Sequence, residues 1–237
     1  MTQDRTLGPL VPDWTPPPAP DHTPMHGRYA ALVPLKADAH AALLYREFSG
    51  HDHLFDYLPD GPFASASQFH RWAREAEQSR DMLFYAVQDR GSQRFVGVLS
   101  YLRIAPAAGS IEVGNINFSP ALQRTRAATE AIYLTMAWAF EAGYRRFEWK
   151  CNALNMPSRR AAQRLGLSYE GIFRQAVVIK GRNRDTAWFA AIDAEWPALQ
   201  EAYRLWLDPA NFDGKGQQIE RLSDLTRLVR VSSDPAL

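Results

Sequence analysis

Residues 119–140 read SPALQRTRAATEAIYLTMAWAF, a polar and basic loop that continues directly into an apolar helix. Thr125 or Thr129 can cap this helix, and its alanines favour helix formation. The first turn presents unpaired backbone N–H groups and about half a positive charge, to which Arg124 and Arg126 add full charges. The segment is therefore either a site for a phosphate group, such as a cofactor pyrophosphate, or an ordinary capped helix with two solvated arginines.

The composition indicates a globular protein with no strong overall charge. Of the 237 residues, 46% are hydrophobic and 22% charged, and the formal net charge is +1, which does not favour nucleic acid or an anionic membrane as a partner. The single cysteine, Cys151, excludes an internal disulfide, and no Cys/His spacing resembles a structural zinc site. The beginning of the chain lacks a signal-peptide pattern, and no segment has the roughly 18 continuous apolar residues of a membrane span. We therefore expect a cytoplasmic protein that binds no metal.

Three regions are predicted along the chain. Residues 1–26 form an arm with five prolines between Pro16 and Pro24, which favour extended backbone. The arm is either disordered or packed over the domain by Leu10, Val11 and Trp14, and at least partial docking is favoured. Residues 27–196 alternate between strand and helix patterns without a break in composition, which predicts one mixed α/β domain. Residues 197–237 are expected to form a helical extension.

Hydrophobic periodicity and turn residues give the order of elements within these regions. The predicted strands are Arg28–Leu35, Met82–Gln88, Phe95–Ile104, Ile111–Phe118, Tyr144–Cys151, Tyr169–Lys180 and Asp185–Ala194. Besides the helix described above, the predicted helices are Ala37–Phe48, Gln68–Ser79, Ser158–Leu165, one from Pro197 to Leu207, and Gln218–Val229.

The segment 51–63 is predicted to be an irregular loop rich in aromatic and titratable residues. It contains His51, Asp52, His53 and Asp56, whose close spacing could supply metal ligands. A strong metal site also needs convergent ligands from elsewhere, so the wall of a substrate pocket is the favoured interpretation of the loop.

The local motifs, taken in order, resemble the GCN5-related N-acetyltransferase superfamily, and within it the branch of ribosomal-protein N-terminal acetyltransferase-like proteins. The resemblance covers about residues 28–196. The motifs that carry it are Gly97 with Tyr101, IEVG at 111–114, QRTRAATEA at 123–131, NMPSRR at 155–160, LGLSYEGIFR at 165–174, Asp185, and the Glu-Trp pair at 195–196.

This resemblance implies a single domain with a twisted, mixed and mostly antiparallel sheet of about seven strands flanked by helices. The sheet is expected to splay between its fourth and fifth strands and to hold acetyl-CoA in the gap. The residues expected to bind this co-substrate are Phe118, Ser119, Gln123, Arg124, Thr125, Arg126, Ala127, Ala128, Thr129, Asn155 and Ser158. Arg126 departs from the family pattern, because it stands where the first glycine is usual; its side chain either turns outward or contacts the phosphates itself.

Acetyl transfer to an amine needs a base, a donor to the thioester carbonyl and a proton for the thiolate. By resemblance, Glu112 is the general base, Asn155 binds the cofactor arm and Ser158 protonates the thiolate, with a backbone N–H near Phe118 or Ser119 as the carbonyl donor. The alternatives remain open at this point: Glu112 can be an ordinary strand carboxylate, and Asn155 with Ser158 can be a helix cap alone.

Other residues compete for roles in the chemistry. Tyr133, Tyr144 and Tyr169 could each act as an acid, but aromatic residues in such positions are more often core, and Cys151 is expected to be buried and inert. We expect the hairpin 181–184 and the loop 51–63 to flank the acceptor.

The acceptor is expected to be a primary amine of a small molecule, an amino acid or a protein N-terminus. An α-amine costs about 1.4 kcal/mol to deprotonate at pH 7, against about 4–5 kcal/mol for lysine, which mildly favours the α-amine. Two alternatives remain, a non-catalytic acyl-CoA-binding module and an unrelated α/β domain without a CoA site. A homodimer formed through the later strands or the C-terminal helices also remains open.

Overall fold

A central mixed sheet runs through the computed structural model, which describes residues 7–237. The spatial order of its strands is β1-β2-β3-β4-β5-β6-β8-β7, and all neighbours are antiparallel except β5 and β6. The strands are β1 (Met25–His26), β2 (Ala30–Pro34), β3 (Met82–Asp89), β4 (Arg94–Ala105), β5 (Ser110–Phe118), β6 (Arg146–Asn152), β7 (Ser168–Ile179) and β8 (Arg182–Ile192). The predicted fold class is confirmed, with an eighth strand because the end of the N-terminal arm pairs with β2.

Six α-helices flank the sheet in the described part of the chain. They are α1 (Ala37–Phe48), α2 (Ala66–Glu77), α3 (Arg126–Glu141), α4 (Met156–Arg164), α5 (Trp196–Leu207) and α6 (Leu222–Arg227). Helices α1 and α2 pack on one face of the sheet in an aromatic core that includes Phe48, Phe69 and Phe84. Helices α3 and α5 belong to the larger core on the other face. Helix α6 begins four residues later than the predicted Gln218 start.

A buried carboxylate fixes α3 against β2. Glu130 is 4% exposed, and it accepts hydrogen bonds from the backbone N–H groups of Arg28 (2.9 Å), Tyr29 (2.5 Å) and Ala30 (2.6 Å). A side chain at Gly27 would collide with it, because a Cβ there would lie 2.3 Å from the carboxylate. The start of α3 is thus held at a defined place on the sheet.

The sheet opens between β5 and β6. Their parallel ladder runs only from the pair Ser110–Arg146 to the pair Val113–Trp149, while β5 continues to Phe118. Beyond the ladder, Asn115 has a left-handed φ of 49°, and the pairing of β5 with β4 shifts register there. Such a bulge bends the strand. The expected splay is therefore present, and α3 follows the free end of β5.

Segments near both ends of the described chain pack on the domain. Leu10 and Val11 are 94% and 45% exposed, whereas Trp14 lies against Gly109 and 5.6 Å from the Arg145 guanidinium. The expected partial docking of the arm is therefore made by Trp14 and not by Leu10 or Val11. At the other end, the buried carboxylate of Asp234 accepts hydrogen bonds from the guanidinium of Arg159 on α4, at 2.6 and 2.5 Å. The chain end thereby fixes α4.

Candidate active site

The loop before α3 ends in a hydroxyl cap. Thr125 has extended backbone angles, its Oγ1 accepts a hydrogen bond from the N–H of Ala128 (3.1 Å), and its hydroxyl donates to the carbonyl of Leu122 (2.6 Å). Thr125 rather than Thr129 is therefore the cap of the two predicted. Thr129 is buried in the first turn, where its Oγ1 accepts from the Arg164 guanidinium (3.2 Å).

Three N–H groups at this helix start have no acceptor. Within residues 7–237, the backbone N–H groups of Arg124, Arg126 and Ala127 make no hydrogen bond. Together with the positive end of the helix dipole, they can bind the oxygens of a diphosphate. No side chain of the described part accepts from these N–H groups, so the start of α3 is open to an anion, as the start of an ordinary capped helix also is.

Arg126 turns its side chain away from these N–H groups. Its guanidinium carbon lies 4.8 Å from the ring centre of Tyr29 and 4.5 Å from that of Phe212. Arg126 is the first residue of the helix, and the left-handed φ of the loop (61°) is at Arg124. Arg126 stands where the family pattern has a glycine, and it is accommodated there because its backbone is helical and its side chain packs on two aromatic rings.

One expected carbonyl donor is already occupied. The N–H of Ser119 donates to the carbonyl of Val96 (3.0 Å), so Ser119, one of the two expected donors, has no free backbone N–H for the thioester carbonyl. The Ser119 hydroxyl oxygen is buried without a hydrogen-bond partner in the described structure, and the Phe118 carbonyl accepts from the Gln123 amide (2.8 Å). Gln123 and Phe118 therefore shape the loop.

The turn before α4 combines the two expected roles of Asn155 and Ser158. The Asn155 Oδ1 accepts the N–H of Ser158 (3.1 Å), which is the capping arrangement, and leaves the Asn155 amide nitrogen able to donate elsewhere. The Ser158 Oγ accepts from the indole N–H of Trp149 (3.0 Å). The Ser158 hydroxyl also acts on the Cys151 thiol, whose pKa burial raises and the hydrogen bond with Ser158 lowers.

Glu112 belongs to a series of ion pairs with alternating charges that extends over strands β4, β5, β6 and β7. Arg103 Nη1 lies 2.8 Å from both Glu112 carboxylate oxygens, and Lys150 Nζ bridges Glu112 (2.9 Å) and Glu148 (2.7 Å). Arg146 continues the series to Glu148 (2.6 Å), and then to Glu170 of β7 (2.5 Å). Glu112 is therefore a paired carboxylate whose side chain is only 3% exposed.

The environment of Glu112 changes its proton affinity. Burial raises the pKa of its carboxyl, against the opposing effects of Lys150 and Arg103. Glu148 suffers desolvation as well, but its hydrogen bonds from Arg146 and Lys150 outweigh it and lower the pKa of that carboxyl. The two carboxyls are register partners on β5 and β6, and their environments shift their pKa values in opposite directions. Of the two, Glu112 is the better candidate for a base.

The loop 51–63 and the hairpin tip meet beside this opening. Lys180 Nζ donates to the carbonyls of Phe55 (2.8 Å) and Asp60 (3.2 Å), and the Tyr57 hydroxyl donates to the carbonyl of Leu154 (3.3 Å). A cavity is lined by loop residues together with Asn115 and Asn117 of β5, and a second cavity of about 240 Å³ adjoins it. The two segments expected to flank the acceptor are thus in contact.

The remaining candidates have packing roles. Tyr133 lies against Trp196 and Tyr203, the buried Tyr144 hydroxyl donates to the carbonyl of Pro18 (3.1 Å), and the Tyr169 ring packs on Phe189. Burial raises the pKa of the Cys151 thiol, which leaves it protonated and unreactive at neutral pH. Across residues 7–237, no group of three His, Cys, Asp or Glu side chains is placed to hold a metal ion.

Sequence reasoning missed the cations beside Glu112. The segment RFEWKCN at 146–152 alternates charged and apolar residues, a signal that could have placed Arg146, Glu148 and Lys150 on one face of a strand. It also missed the arginine and tryptophan of β8 on that face, Arg184 and Trp188, each of which has a buried nitrogen without a partner in the described structure.

Comparison with known proteins gives two independent similarities. The family model of the acetyltransferase (GNAT) domain matches residues 31–168. A GCN5-related N-acetyltransferase from Brucella melitensis has a solved structure with 46% sequence identity and a TM-score of 0.89, covering 92% of this chain and 100% of its own. A probable GNAT-family acetyltransferase from Chromobacterium violaceum shows 42% identity and a TM-score of 0.77, over 82% of this chain and 98% of its own.

More distant structures share the fold. An acetyltransferase from Salmonella typhimurium that modifies the N-terminal serine of a 50S ribosomal subunit protein has 20% identity and a TM-score of 0.60, over 70% of this chain and 96% of its own. No match was found among curated proteins. None of the helices between residues 7 and 237 combines the length and apolar character that crossing a membrane requires.

Proposed function

The chain belongs to the GNAT acetyltransferase family, and from this premise we propose that it transfers an acetyl group from acetyl-CoA to a primary amine. The observation that carries the proposal is the divergence of β5 and β6 beyond Val113 and Trp149, next to the unpartnered N–H groups at the start of α3. A long co-substrate can enter this gap with its diphosphate on α3.

The residues around the opening fit acetyl-CoA. The N–H groups of Arg124, Arg126 and Ala127 can hold the diphosphate, and the Asn155 amide nitrogen can donate to a carbonyl of the pantetheine arm. When bound, acetyl-CoA supplies the acetyl group as a thioester, a carbonyl compound with a good leaving group. The gap between the strands excludes water from the arm.

Two proton transfers accompany the proposed reaction, one to Glu112 and one from Ser158. Glu112 takes a proton from the amine nitrogen as the new C–N bond forms, directly or through one water molecule, and its burial favours this by raising the pKa of its carboxyl. Ser158 gives a proton to the sulfur as the C–S bond breaks. The indole N–H of Trp149 donates to the Ser158 oxygen and thereby restricts the orientations open to its hydroxyl.

The amine has to arrive neutral, which favours an α-amine over a lysine side chain by about 3 kcal/mol at pH 7. The Salmonella relative modifies the α-amine of a serine. We therefore propose that a protein N-terminus or an amino acid is a better acceptor than a lysine side chain for this chain also.

The test is release of free thiol when the protein is mixed with acetyl-CoA and a panel of amines. We expect turnover in the wild type and a loss of about 100-fold or more in Glu112→Gln, since general-base catalysis contributes about 10²–10⁴-fold. Glu201→Gln, at an exposed ion pair on α5, is the matched control. Equal rates for wild type and Glu112→Gln would contradict the assignment of the base.

A second function is favoured by one observation. Glu112 contacts two cations and is almost fully buried, an arrangement that also suits a structural ion pair in a non-catalytic acyl-CoA-binding module. This alternative predicts thermal stabilisation by coenzyme A in the wild type and in Glu112→Gln, with no thiol release from any acceptor. Transfer to one amine of the panel excludes it.

A further inference from the structure

Two nitrogen donors on β8 are buried without a hydrogen-bond partner. Within the described residues, the Nε of Arg184 and the indole Nε1 of Trp188 have no acceptor. Side chains alternate along a strand, so Arg184 and Trp188 share a face of the sheet. Lys150 Nζ lies 3.8 Å from the centre of the Trp188 ring, which places both donors on the face that carries Glu112.

Buried donors are nearly always satisfied in folded proteins, because leaving them unpaired costs free energy. Arg184 and Trp188 both violate this rule on the face where Glu112 is the candidate base, with Thr186 between them along β8. Asp185, the neighbouring carboxylate, is not available, since it accepts from the Gln175 N–H (2.7 Å) and the Asn183 amide (3.0 Å). A ligand with oxygen acceptors would complete the arrangement.

The local charge balance indicates the sign of that ligand. Glu112 and Glu148 neutralise Lys150 and Arg103, while Arg146 pairs onward with Glu170. Arg184 forms no salt bridge among residues 7–237, and Arg103 and Glu112 are among the charged groups that act on it. One positive charge is therefore left uncompensated in a partly buried place.

The chemistry of the donors narrows the ligand further. The Nε edge of a guanidinium is planar and matches the two oxygens of a carboxylate, and an indole N–H adds a third donor. Arg184 follows the hairpin tip whose Lys180 contacts the loop 51–63, at the predicted acceptor side of the opening. An acceptor amine at Glu112 would bring its neighbouring atoms to this corner.

We propose that the acceptor carries a carboxylate close to its amine, and that Arg184 and Trp188 bind this carboxylate. The inference rests on the proposed acetyl transfer and adds its substrate class: amino acids, or peptides with an acidic residue next to the N-terminus. Neutral amines of the same size leave both donors unpaired, so we expect them to be acetylated with a lower kcat/KM.

The experiment compares matched acceptors by thiol release in the full-length protein. Each pair differs only in charge: an amino acid against its amide, and an amidated peptide with Glu against one with Gln at its second position. We expect the wild type to prefer one carboxylate member by about 10- to 100-fold in kcat/KM, the usual range for a charge-assisted hydrogen bond. The pair that shows the preference tells which carboxylate is bound.

Variants separate binding from folding. Arg184→Gln is expected to abolish the preference through a rise in KM for the carboxylate acceptor, with little change for the neutral one. Trp188→Phe keeps a ring under Lys150 but removes the N–H, and is expected to reduce the preference in part. Arg204→Gln, at an exposed arginine of α5, should leave the preference unchanged.

Three results would overturn the inference. If the wild type acetylates neutral and carboxylate acceptors at equal rates, the proposed substrate class is contradicted, while the acetyl transfer itself is not. The same conclusion follows if kcat/KM falls equally for both acceptors in Arg184→Gln and Trp188→Phe. Absence of thiol release from every acceptor, in protein that binds coenzyme A, contradicts the proposed transfer itself.

Discussion

The unpartnered N–H group of Arg126 allows the diphosphate site to be tested one hydrogen bond at a time. Arg126 is the first residue of α3, and the residue before it, Thr125, has φ of −94° and ψ of 166°. This extended conformation is the one that a residue before proline prefers, and proline is well tolerated at the first position of a helix. Arg126→Pro therefore removes the N–H group without breaking an existing hydrogen bond.

Arg126→Ala is the matched control, because it keeps the N–H group and removes the same side chain. Both variants lose the contacts of the guanidinium with Tyr29 and Phe212, so this loss cancels in the comparison. The difference between them is one N–H donor to a charged phosphate oxygen, worth about 1.5–3 kcal/mol. That free energy corresponds to about 10- to 150-fold in Kd.

Isothermal titration with coenzyme A measures this difference. We expect Arg126→Pro to bind more weakly than Arg126→Ala by that factor, and the difference to persist with 3′-dephospho-coenzyme A, which keeps the diphosphate. Circular dichroism should show the same helix content in both variants. Equal affinities of the two folded variants would refute the assignment of the diphosphate to the start of α3.

Two further predictions concern the ion pairs. In Lys150→Met, Glu112 loses a cation that favours its ionised form, so the pKa of its carboxyl rises further and the acid limb of the kcat/KM profile moves to higher pH. An unmoved limb in an active variant would argue against Glu112 as the base. In Asp234→Asn, the Arg159 guanidinium is left buried without its counter-charge. The free energy of unfolding is expected to fall by about 3–5 kcal/mol and the thermal midpoint by about 6 to 20 °C. A midpoint as high as that of Glu201→Gln, a variant at an exposed ion pair, would contradict this prediction.

The sequence was most informative where a structure depends on neighbours along the chain. The cap of α3 at Thr125, one of the two residues predicted for it, follows from a local pattern and is present. The splay between β5 and β6 came from the family resemblance. Its cause, a short ladder followed by a bulge at Asn115, is not visible in composition or periodicity.

The sequence was least informative where partners are far apart in the chain. Arg126 lies between Tyr29 and Phe212, which come from opposite ends of the protein, and Arg159 pairs with Asp234, 75 residues away. A single sequence gives no register between distant segments, so it cannot assign such pairs. For the same reason, Glu112 was predicted as a base without the two cations that now define its environment.

The central claim is that the acetyl group moves from the thioester to an amine on this protein. It is tested most directly by incubating the protein with acetyl-CoA that carries a ¹³C-labelled acetyl group and with a carboxylate-bearing amine, and by measuring the products by mass spectrometry. The account predicts labelled N-acetyl product and free coenzyme A in equal amounts. Free coenzyme A with labelled acetate and no acetylated amine, or no consumption of acetyl-CoA at all, would contradict it.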